Sequence, residues 1–211
     1  MHKLTLWQLN LSAWYVWMIV WGIAALKRKP DKAVEPLVNR LAYVLLFVVG
    51  FALLFSRSLP LGPLRGRFAP QTEWFQSFGL ALMCAGLALA IWARLTLADN
   101  WSGRITVKLG HQLVTSGPYT FVRHPIYTGI LVCATGTALQ VGEWRGLLAV
   151  PVIAVGCAIK AKKEERFMSA EFGELYGKYR QQAGFLLPSV TLIPFELSAR
   201  KHSSKARAQE S

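Results

Sequence analysis

Apolar residues dominate five stretches of this chain, and each is long enough to cross a lipid bilayer as a helix. They are residues 6–26, 41–59, 74–98, 126–142 and 144–160. A helical run of roughly 17–25 apolar residues matches the hydrocarbon thickness of a membrane. Only GEW separates the last two stretches, which predicts a tight helical hairpin. We therefore expect an all-α polytopic membrane protein with about five transmembrane helices.

After the fifth stretch the apolar pattern becomes that of an amphipathic helix. Its apolar positions recur on one helical face: Met168, Phe172, Leu175, Tyr176 and Tyr179. This spacing predicts a C-terminal amphipathic helix, on the cytoplasmic side in the topology derived below, packed against the rest of the protein.

Traced backward, the same face passes through Ala161 to the adjacent carboxylates Glu164 and Glu165. Because buried carboxylates without partners are costly, we expect cations to meet this pair. The candidates are nearby basic side chains or the ammonium group of a ligand. The side chains are Lys160, Lys162, Lys163 and Arg123.

Small residues interrupt the third stretch at regular intervals. Gly79 and Gly86 lie there among several alanines. Such residues let helices approach each other closely in lipid, so this pattern predicts a helix–helix contact and no cofactor role.

Composition and charge agree with a membrane protein. The chain is 53% hydrophobic and only 17% charged, yet its formal net charge is +13. With the N-terminus outside and five alternating spans, 19 of the 24 lysines and arginines fall on the inner side. This asymmetry follows the positive-inside rule and argues against nucleic acid as the partner of the basic residues. The three cysteines lie in predicted spans without metal-ligand spacing, so no metal site is expected.

The longest polar segment lies between the third and fourth spans and ends in SGPYTFVRHP. Loops of this length in compact proteins are usually functional or disordered, and scattered Val, Ile, Tyr and Phe argue against disorder. Pro125 suits the first position of the fourth helix, with His124 beside the helix start. Free amides at a helix start favour an anionic group such as a carboxylate. Arg123 is expected to pair with lipid phosphate, a substrate carboxylate or a lipid headgroup.

These motifs carry a family resemblance. GHQLVTSGPYTFVRHPIYTG, followed by EE and FGELYGKY, resembles the isoprenylcysteine carboxyl methyltransferase family and, more broadly, the phospholipid methyltransferases. The similarity covers about residues 76–188. It implies an integral membrane enzyme that uses S-adenosyl-L-methionine and methylates a lipophilic acceptor. The acceptor would be an isoprenylcysteine-like carboxylate, a small lipophilic thiol or carboxylate, or a lipid amine.

The resemblance also implies a set of site residues. Those implied to bind the cofactor are His111, Gln112, Leu113, Val114, Tyr119, His124, Pro125, Ile126, Tyr127, Glu164 and Glu165. Arg123, His124 and Glu165 are the predicted catalytic residues, and Arg123, Lys160 and Lys162 the predicted substrate-binding residues. In this scheme His124 and the helix start receive the carboxylate of the cofactor, while the glutamates receive its ammonium group.

One position departs from the prenylcysteine enzymes. They carry a substrate-binding arginine one turn before the cofactor glutamate, and the corresponding position here is Ala161. This weakens the case for a prenylated protein substrate. The alternatives are an NADPH-dependent membrane enzyme like the sterol reductases, which share a GPY…RHP…Y arrangement, and a non-catalytic membrane scaffold.

The chain is divided by these features into three regions. Residues 1–72 hold the first two spans, 73–190 the methyltransferase core, and 191–211 a basic tail predicted to be disordered. The expected location is a bacterial inner membrane, with the N-terminus outside and the C-terminus cytoplasmic. The oligomeric state is left open.

Overall fold

The computed structural model describes residues 5–26, 31–34, 37–56, 58, 61–97, 106–108 and 113–189. Its helices are α1 (Leu6–Leu26), α2 (Leu37–Phe55), α3 (Glu73–Leu97), α4 (Pro125–Val141), α5 (Trp144–Phe172) and α6 (Glu174–Gln182). Two strands, β1 (Asp31–Val34) and β2 (Thr106–Lys108), and two short 3-10 turns, Gly62–Arg65 and Gly117–Thr120, complete it. The predicted tail, 191–211, lies outside the described residues.

Each of the five apolar stretches lies mostly within one of the helices α1 to α5, although α2 begins and ends four residues earlier than predicted and α5 continues twelve residues past residue 160. The predicted hairpin is also present, because α4 ends at Val141 and α5 begins at Trp144. Gly142 makes this sharp reversal possible with a left-handed φ of 65°.

The predicted all-α architecture is confirmed, but a small sheet that was not predicted adds to it. β1 and β2 form a two-stranded antiparallel sheet, with Asp31 opposite Lys108 and Val34 opposite Thr106. Sequence periodicity missed it because both strands are short and lie within polar, basic connections.

The predicted amphipathic stripe is also interrupted. α5 continues well past its apolar part to Phe172, and the chain turns at Gly173, whose φ is +51°. Tyr176 and Tyr179 on α6 then pack with Met168 and Phe172 of α5. Leu175 does not join them, since the turn places it on the exposed side.

The tightest contact in the fold joins α3 to α4 through four glycines. A Cβ atom on Gly86 would lie 2.6 Å from the Gly129 carbonyl oxygen, and one on Gly136 would lie 2.5 Å from that of Gly79. Each glycine therefore faces the backbone of the opposite helix, and the close contact predicted from Gly79 and Gly86 is confirmed.

A buried arginine fixes the far end of α2 against α5. Arg145 Nη1 donates to the carbonyl oxygens of Leu53, Leu54 and Ser56 at 2.7, 3.2 and 3.0 Å. Its Nε pairs with Glu143. The side chain thus satisfies carbonyls that the end of a helix leaves without intrahelical partners.

The connections gather at two opposite ends of the helices. At one end, β1 follows α1 and pairs with β2, which follows α3. At the other, Phe68 N donates to the Gly142 carbonyl and Trp144 N to the Gly66 carbonyl, each at 3.0 Å. The segment after α2 therefore meets the turn between α4 and α5, as alternating spans require.

Within the described residues, α3 and α5 are long and apolar enough to cross a membrane, and Arg40–Phe55 and α4 are shorter apolar helices. Large apolar side chains cover much of the outer surface; Leu45 and Leu95, for example, are 63% and 69% exposed. Apolar surface of this extent is typical of contact with lipid or another apolar partner.

Candidate functional site

The two sequence motifs meet at the end of the molecule that carries the small sheet. Pro125 begins α4, so His124 lies directly before the helix. Glu164 and Glu165 lie on the part of α5 that continues past its apolar segment, beyond the predicted span ending at 160. Because α4 and α5 are antiparallel neighbours, the start of one and the late turns of the other are adjacent in space.

His124 lies between the two glutamates. Its Nδ1 is 3.6 Å from Glu164 Oε2 and its Nε2 is 3.4 Å from Glu165 Oε1. The Tyr127 hydroxyl donates to Glu164 Oε1 at 2.5 Å. The expectation that a cation meets the glutamate pair is confirmed by Arg123, whereas His124 was not among the expected partners.

Arg123 is the second cation, and it connects three segments. Its Nε lies 2.6 Å from Glu165 Oε1. Its Nη1 donates to the Arg180 carbonyl oxygen at 3.0 Å and also to that of Ala183, at the end of α6. One side chain thereby holds the loop before α4, the late part of α5 and the C-terminus of α6 together.

The segment after α6 returns to this loop and closes the site. Arg123 N donates to the Gly184 carbonyl at 2.8 Å, and Gly184 N donates to the Phe121 carbonyl at 3.0 Å. Phe185 then packs edge-on against the His124 ring, 5.3 Å between centroids. A Cβ atom at Gly184 would lie only 1.9 Å from the Leu187 carbonyl oxygen, so this turn needs glycine.

The charges in this cluster stabilise one another. Burial lowers the pKa of His124, but the hydrogen bonds and charges of Glu164 and Glu165 outweigh it and raise the pKa above its ordinary 6.5. Burial raises the pKa of Glu165, but His124 and Arg123 outweigh it and lower the pKa to about 2. The pKa of Glu164 is likewise lowered, because His124 and Lys160 outweigh its burial. The cluster therefore favours the protonated form of His124 and the ionised forms of both carboxylates.

The remaining predicted cofactor residues lie around this cluster, except His111 and Gln112, which are outside the described residues. Tyr119 is buried, and its carbonyl oxygen accepts the Tyr179 hydroxyl at 2.7 Å. Leu113 packs against the Tyr176–Tyr179 cluster, and Val114 is half-buried. Pro125 is buried and Ile126 packs against the core beside α5.

The two predicted substrate-binding lysines lie in different surroundings. Lys160 Nζ lies 5.8 Å from the Tyr43 ring centroid and 5.6 Å from that of Tyr127, within cation–π range of both. Lys162 is exposed and lines an open groove beside Glu165. Only Lys160 is therefore close to the His124 cluster on its α2 side.

Several residues of this region were not found from the sequence. Tyr43 on α2, Arg180 on α6 and the 183–189 segment all reach the cluster from distant positions in the chain. The motif GFLLP offered one usable signal, since Gly184 marks a turn beside an aromatic residue.

Three comparisons with known proteins bear on this site. Residues 74–175 match the family profile described as phospholipid methyltransferase. The chain is 28% identical over 130 residues to protein-S-isoprenylcysteine O-methyltransferase B of Arabidopsis thaliana, covering 57% of this chain and 62% of that one. It is also 32% identical over 136 residues to the cobalt-zinc-cadmium resistance protein CzcN of Cupriavidus metallidurans, covering 62% and 59%.

Among solved structures, the chain is similar to the eukaryotic intramembrane Ras methyltransferase ICMT (isoprenylcysteine carboxyl methyltransferase), with 26% sequence identity and a TM-score of 0.49. The likeness covers 72% of this chain and 52% of that one. The chain thus spans less than two thirds of the length of each of these relatives. The sequence matches confirm the resemblance predicted from the two motifs.

Proposed function

Because residues 74–175 match the phospholipid methyltransferases and the curated relatives include isoprenylcysteine methyltransferases, we propose that this chain is an integral membrane methyltransferase. It uses S-adenosyl-L-methionine and methylates a lipophilic acceptor that enters from the bilayer. The observation that carries the proposal is the cluster of His124, Glu164 and Glu165 at the end of the apolar helices.

The donor set fits this cofactor. S-adenosyl-L-methionine ends in a zwitterionic amino acid, and its ammonium group needs an anionic partner in a partly buried site. Glu165 supplies one: its Oε1 is engaged by Arg123 and His124, while no described residue donates a hydrogen bond to its Oε2. Tyr119, Pro125 and Tyr127 provide buried walls close to the carboxylates.

When bound, the cofactor supplies a methyl group already activated by a sulfonium. The residues of this chain then have to orient the acceptor and keep water away. The burial of Tyr119, His124 and Tyr127 serves the second requirement. Phe185 covers the His124 ring from the side of the C-terminal segment.

The charge states favour an acceptor that arrives ionised. Both ring nitrogens of His124 face glutamate oxygens, and a carboxylate with a pKa of about 2, like Glu165, is a weak base. An amine acceptor would need a base, whereas a carboxylate or thiolate needs none. The site therefore suits carboxyl or thiol methylation better than methylation of a protonated amine.

Lys160 is the side chain best placed to meet an anionic acceptor. It follows the apolar part of α5 and lies between the rings of Tyr43 and Tyr127. Lys160 would therefore supply the positive charge that an arginine at the position of Ala161 supplies in the prenylcysteine enzymes. Arg123, with its three partners, acts instead as a positioning residue for Glu165 and α6.

The alternative is an NADPH-dependent enzyme like the sterol reductases. The methyltransferase names among the relatives favour methyl transfer. A thermal-shift assay of the purified protein with each cofactor separates the two: S-adenosyl-L-methionine should raise the unfolding temperature, and NADPH should not.

The assignment is tested by calorimetry on two site variants. We expect Glu165→Gln and His124→Ala each to weaken S-adenosyl-L-methionine binding at least about tenfold, because each removes a charged partner in a buried site. Glu174→Gln, a change at an exposed carboxylate on α6, is the matched control and should bind normally. Full binding by both site variants would show the assignment to be wrong.

The acceptor is identified by a separate experiment. Lipid extracts are incubated with the protein and an isotope-labelled donor, and mass spectrometry finds the labelled product.

A further inference from the structure

An open groove of about 470 Å³ lies beside Glu165, between the late turns of α5 and α6. It is lined by Lys162, Glu165, Arg166, Ser169 and Arg180. None of the basic residues here was expected to contact a cofactor. The groove nevertheless shares Glu165 with the His124 cluster.

The groove has an excess of positive charge. Lys162 and Arg166 are one helical turn apart, both exposed, and neither forms an ion pair with another described residue. Arg180 contributes a third cation with about half of its side chain exposed. Among the described residues, Glu165 is the only carboxylate that lines the groove, and Arg123 and His124 contact it from the other oxygen. An anionic group is therefore favoured here.

The two oxygens of Glu165 differ in their surroundings. Oε1 faces Arg123 at 2.6 Å and His124 at 3.4 Å. The nearest cation to Oε2 is Arg180 Nε, a group of the groove, which lies 3.8 Å away and beyond hydrogen-bond distance. The groove thus presents one available anionic oxygen directly beside a set of cations.

One anionic oxygen beside several cations is complementary to an α-amino acid, which carries an ammonium and a carboxylate on the same carbon. A simple phosphate would use the cations but leave Oε2 without a partner. His124, by contrast, is poorly suited to a carboxylate, because both of its ring nitrogens face glutamates.

We infer that this groove binds the amino-acid end of the methyl donor, with Glu165 Oε2 accepting its ammonium group and Arg180, Arg166 and Lys162 binding its carboxylate. The inference rests on the proposed function and moves the carboxylate site from His124 and the start of α4 to the α5–α6 groove. Ser169 offers a hydroxyl donor on the same wall.

The test compares two donors that differ only in the carboxylate: S-adenosyl-L-methionine and its decarboxylated form. Dissociation constants are measured by calorimetry for the full-length protein and for Arg180→Gln and Arg166→Gln. Each variant should weaken S-adenosyl-L-methionine binding by about tenfold to a hundredfold, the range for a charge-assisted hydrogen bond. Binding of the decarboxylated donor should change by less than about twofold in Arg166→Gln, since Arg166 meets only the carboxylate, and should not weaken in Arg180→Gln, which removes the cation nearest to Glu165 Oε2.

Lys178→Gln is the matched control, since Lys178 is an exposed cation on α6 outside the groove, and it should bind both donors normally. Equal weakening of both donors, or of neither, in Arg166→Gln and Arg180→Gln would overturn the inference while leaving the proposed function intact. If the unaltered protein bound neither donor, the proposed function would fail together with the inference.

Discussion

His124 is the residue on which the charges of the site converge. Glu164 and Glu165 of α5 face its two ring nitrogens, Arg123 precedes it in the chain, and Phe185 packs on its edge. Each charge lowers the cost of burying the next, so removing one leaves another without compensation. The same contacts that prepare the site for a ligand therefore stabilise the fold.

This coupling predicts how stability depends on pH. The raised pKa of His124 contributes stability that is fully present below its ordinary 6.5 and lost as the pH rises through the folded-state value. The lowered pKa of Glu165 contributes stability present above its ordinary 4.5 and lost as the pH falls toward about 2. The cluster should stabilise the fold most between these ordinary values.

We expect the unfolding temperature of the unaltered protein to exceed that of His124→Gln by the largest margin between pH 4.5 and 6.5. The margin should shrink at higher pH as His124 loses its proton. Thermal unfolding in detergent across a pH series measures it, with Lys178→Gln as a control whose curve should follow the unaltered protein. A margin that stays constant into alkaline pH would contradict this account of the cluster.

At the scale of helices, glycine contact and arginine capping position the site. The α3–α4 contact brings the two backbones together through Gly79, Gly86, Gly129 and Gly136. Since α4 begins at the site, this contact sets where His124 lies. Arg145 fixes the opposite end of α5 to α2.

Gly136→Ala should therefore destabilise the protein by about 1–3 kcal/mol, because its Cβ would lie 2.5 Å from backbone atoms that cannot move independently. Gly22→Ala on α1 is the matched control: a Cβ there meets nothing within 4 Å, so stability should be unchanged or slightly higher. Unfolding temperatures of the two variants give the comparison. Equal stability of Gly136→Ala and the unaltered protein would mean that α3 and α4 are not held at this distance.

At the scale of the whole molecule, the connections form two ends. The β1–β2 sheet and the site lie at one end, and the Gly66–Trp144 contacts lie at the other. From the distribution of basic residues in the sequence, we expect the sheet end to face the cytoplasm. A donor would then enter the groove from water while a lipophilic acceptor arrives through the surrounding lipid.

This orientation predicts the accessibility of introduced cysteines. Ser58→Cys, in the connection after α2, and Ala170→Cys, near the end of α5, are both exposed positions. In a background without the native cysteines, a membrane-impermeant thiol reagent applied to intact cells should label position 58 and spare position 170. Permeabilised cells should show labelling of both. The reverse pattern in intact cells would invert the topology.

The sequence alone determined the elements of the core and both halves of the site. A transmembrane helix can be predicted from its own apolar residues alone, because a helix in lipid must satisfy its backbone polar groups within itself. The hairpin, the glycine contact, the residues from Arg123 to Pro125 and the pair Glu164 and Glu165 followed from local patterns, whereas Ile126 and Tyr127 were implied by the family resemblance. The strands of the small sheet did not, since each is stable only through its partner from a distant connection.

Only the tertiary structure decided which groups meet. The sequence placed Arg123 near an interface without identifying its partner, and the fold shows it joining Glu165 to the end of α6. It likewise suggested one continuous helical stripe, which the turn at Gly173 divides so that Arg180 faces Glu165. These contacts depend on how antiparallel helices and the C-terminal segment pack together. The spacing of residues along the sequence does not determine that packing, because the contacting residues come from distant segments.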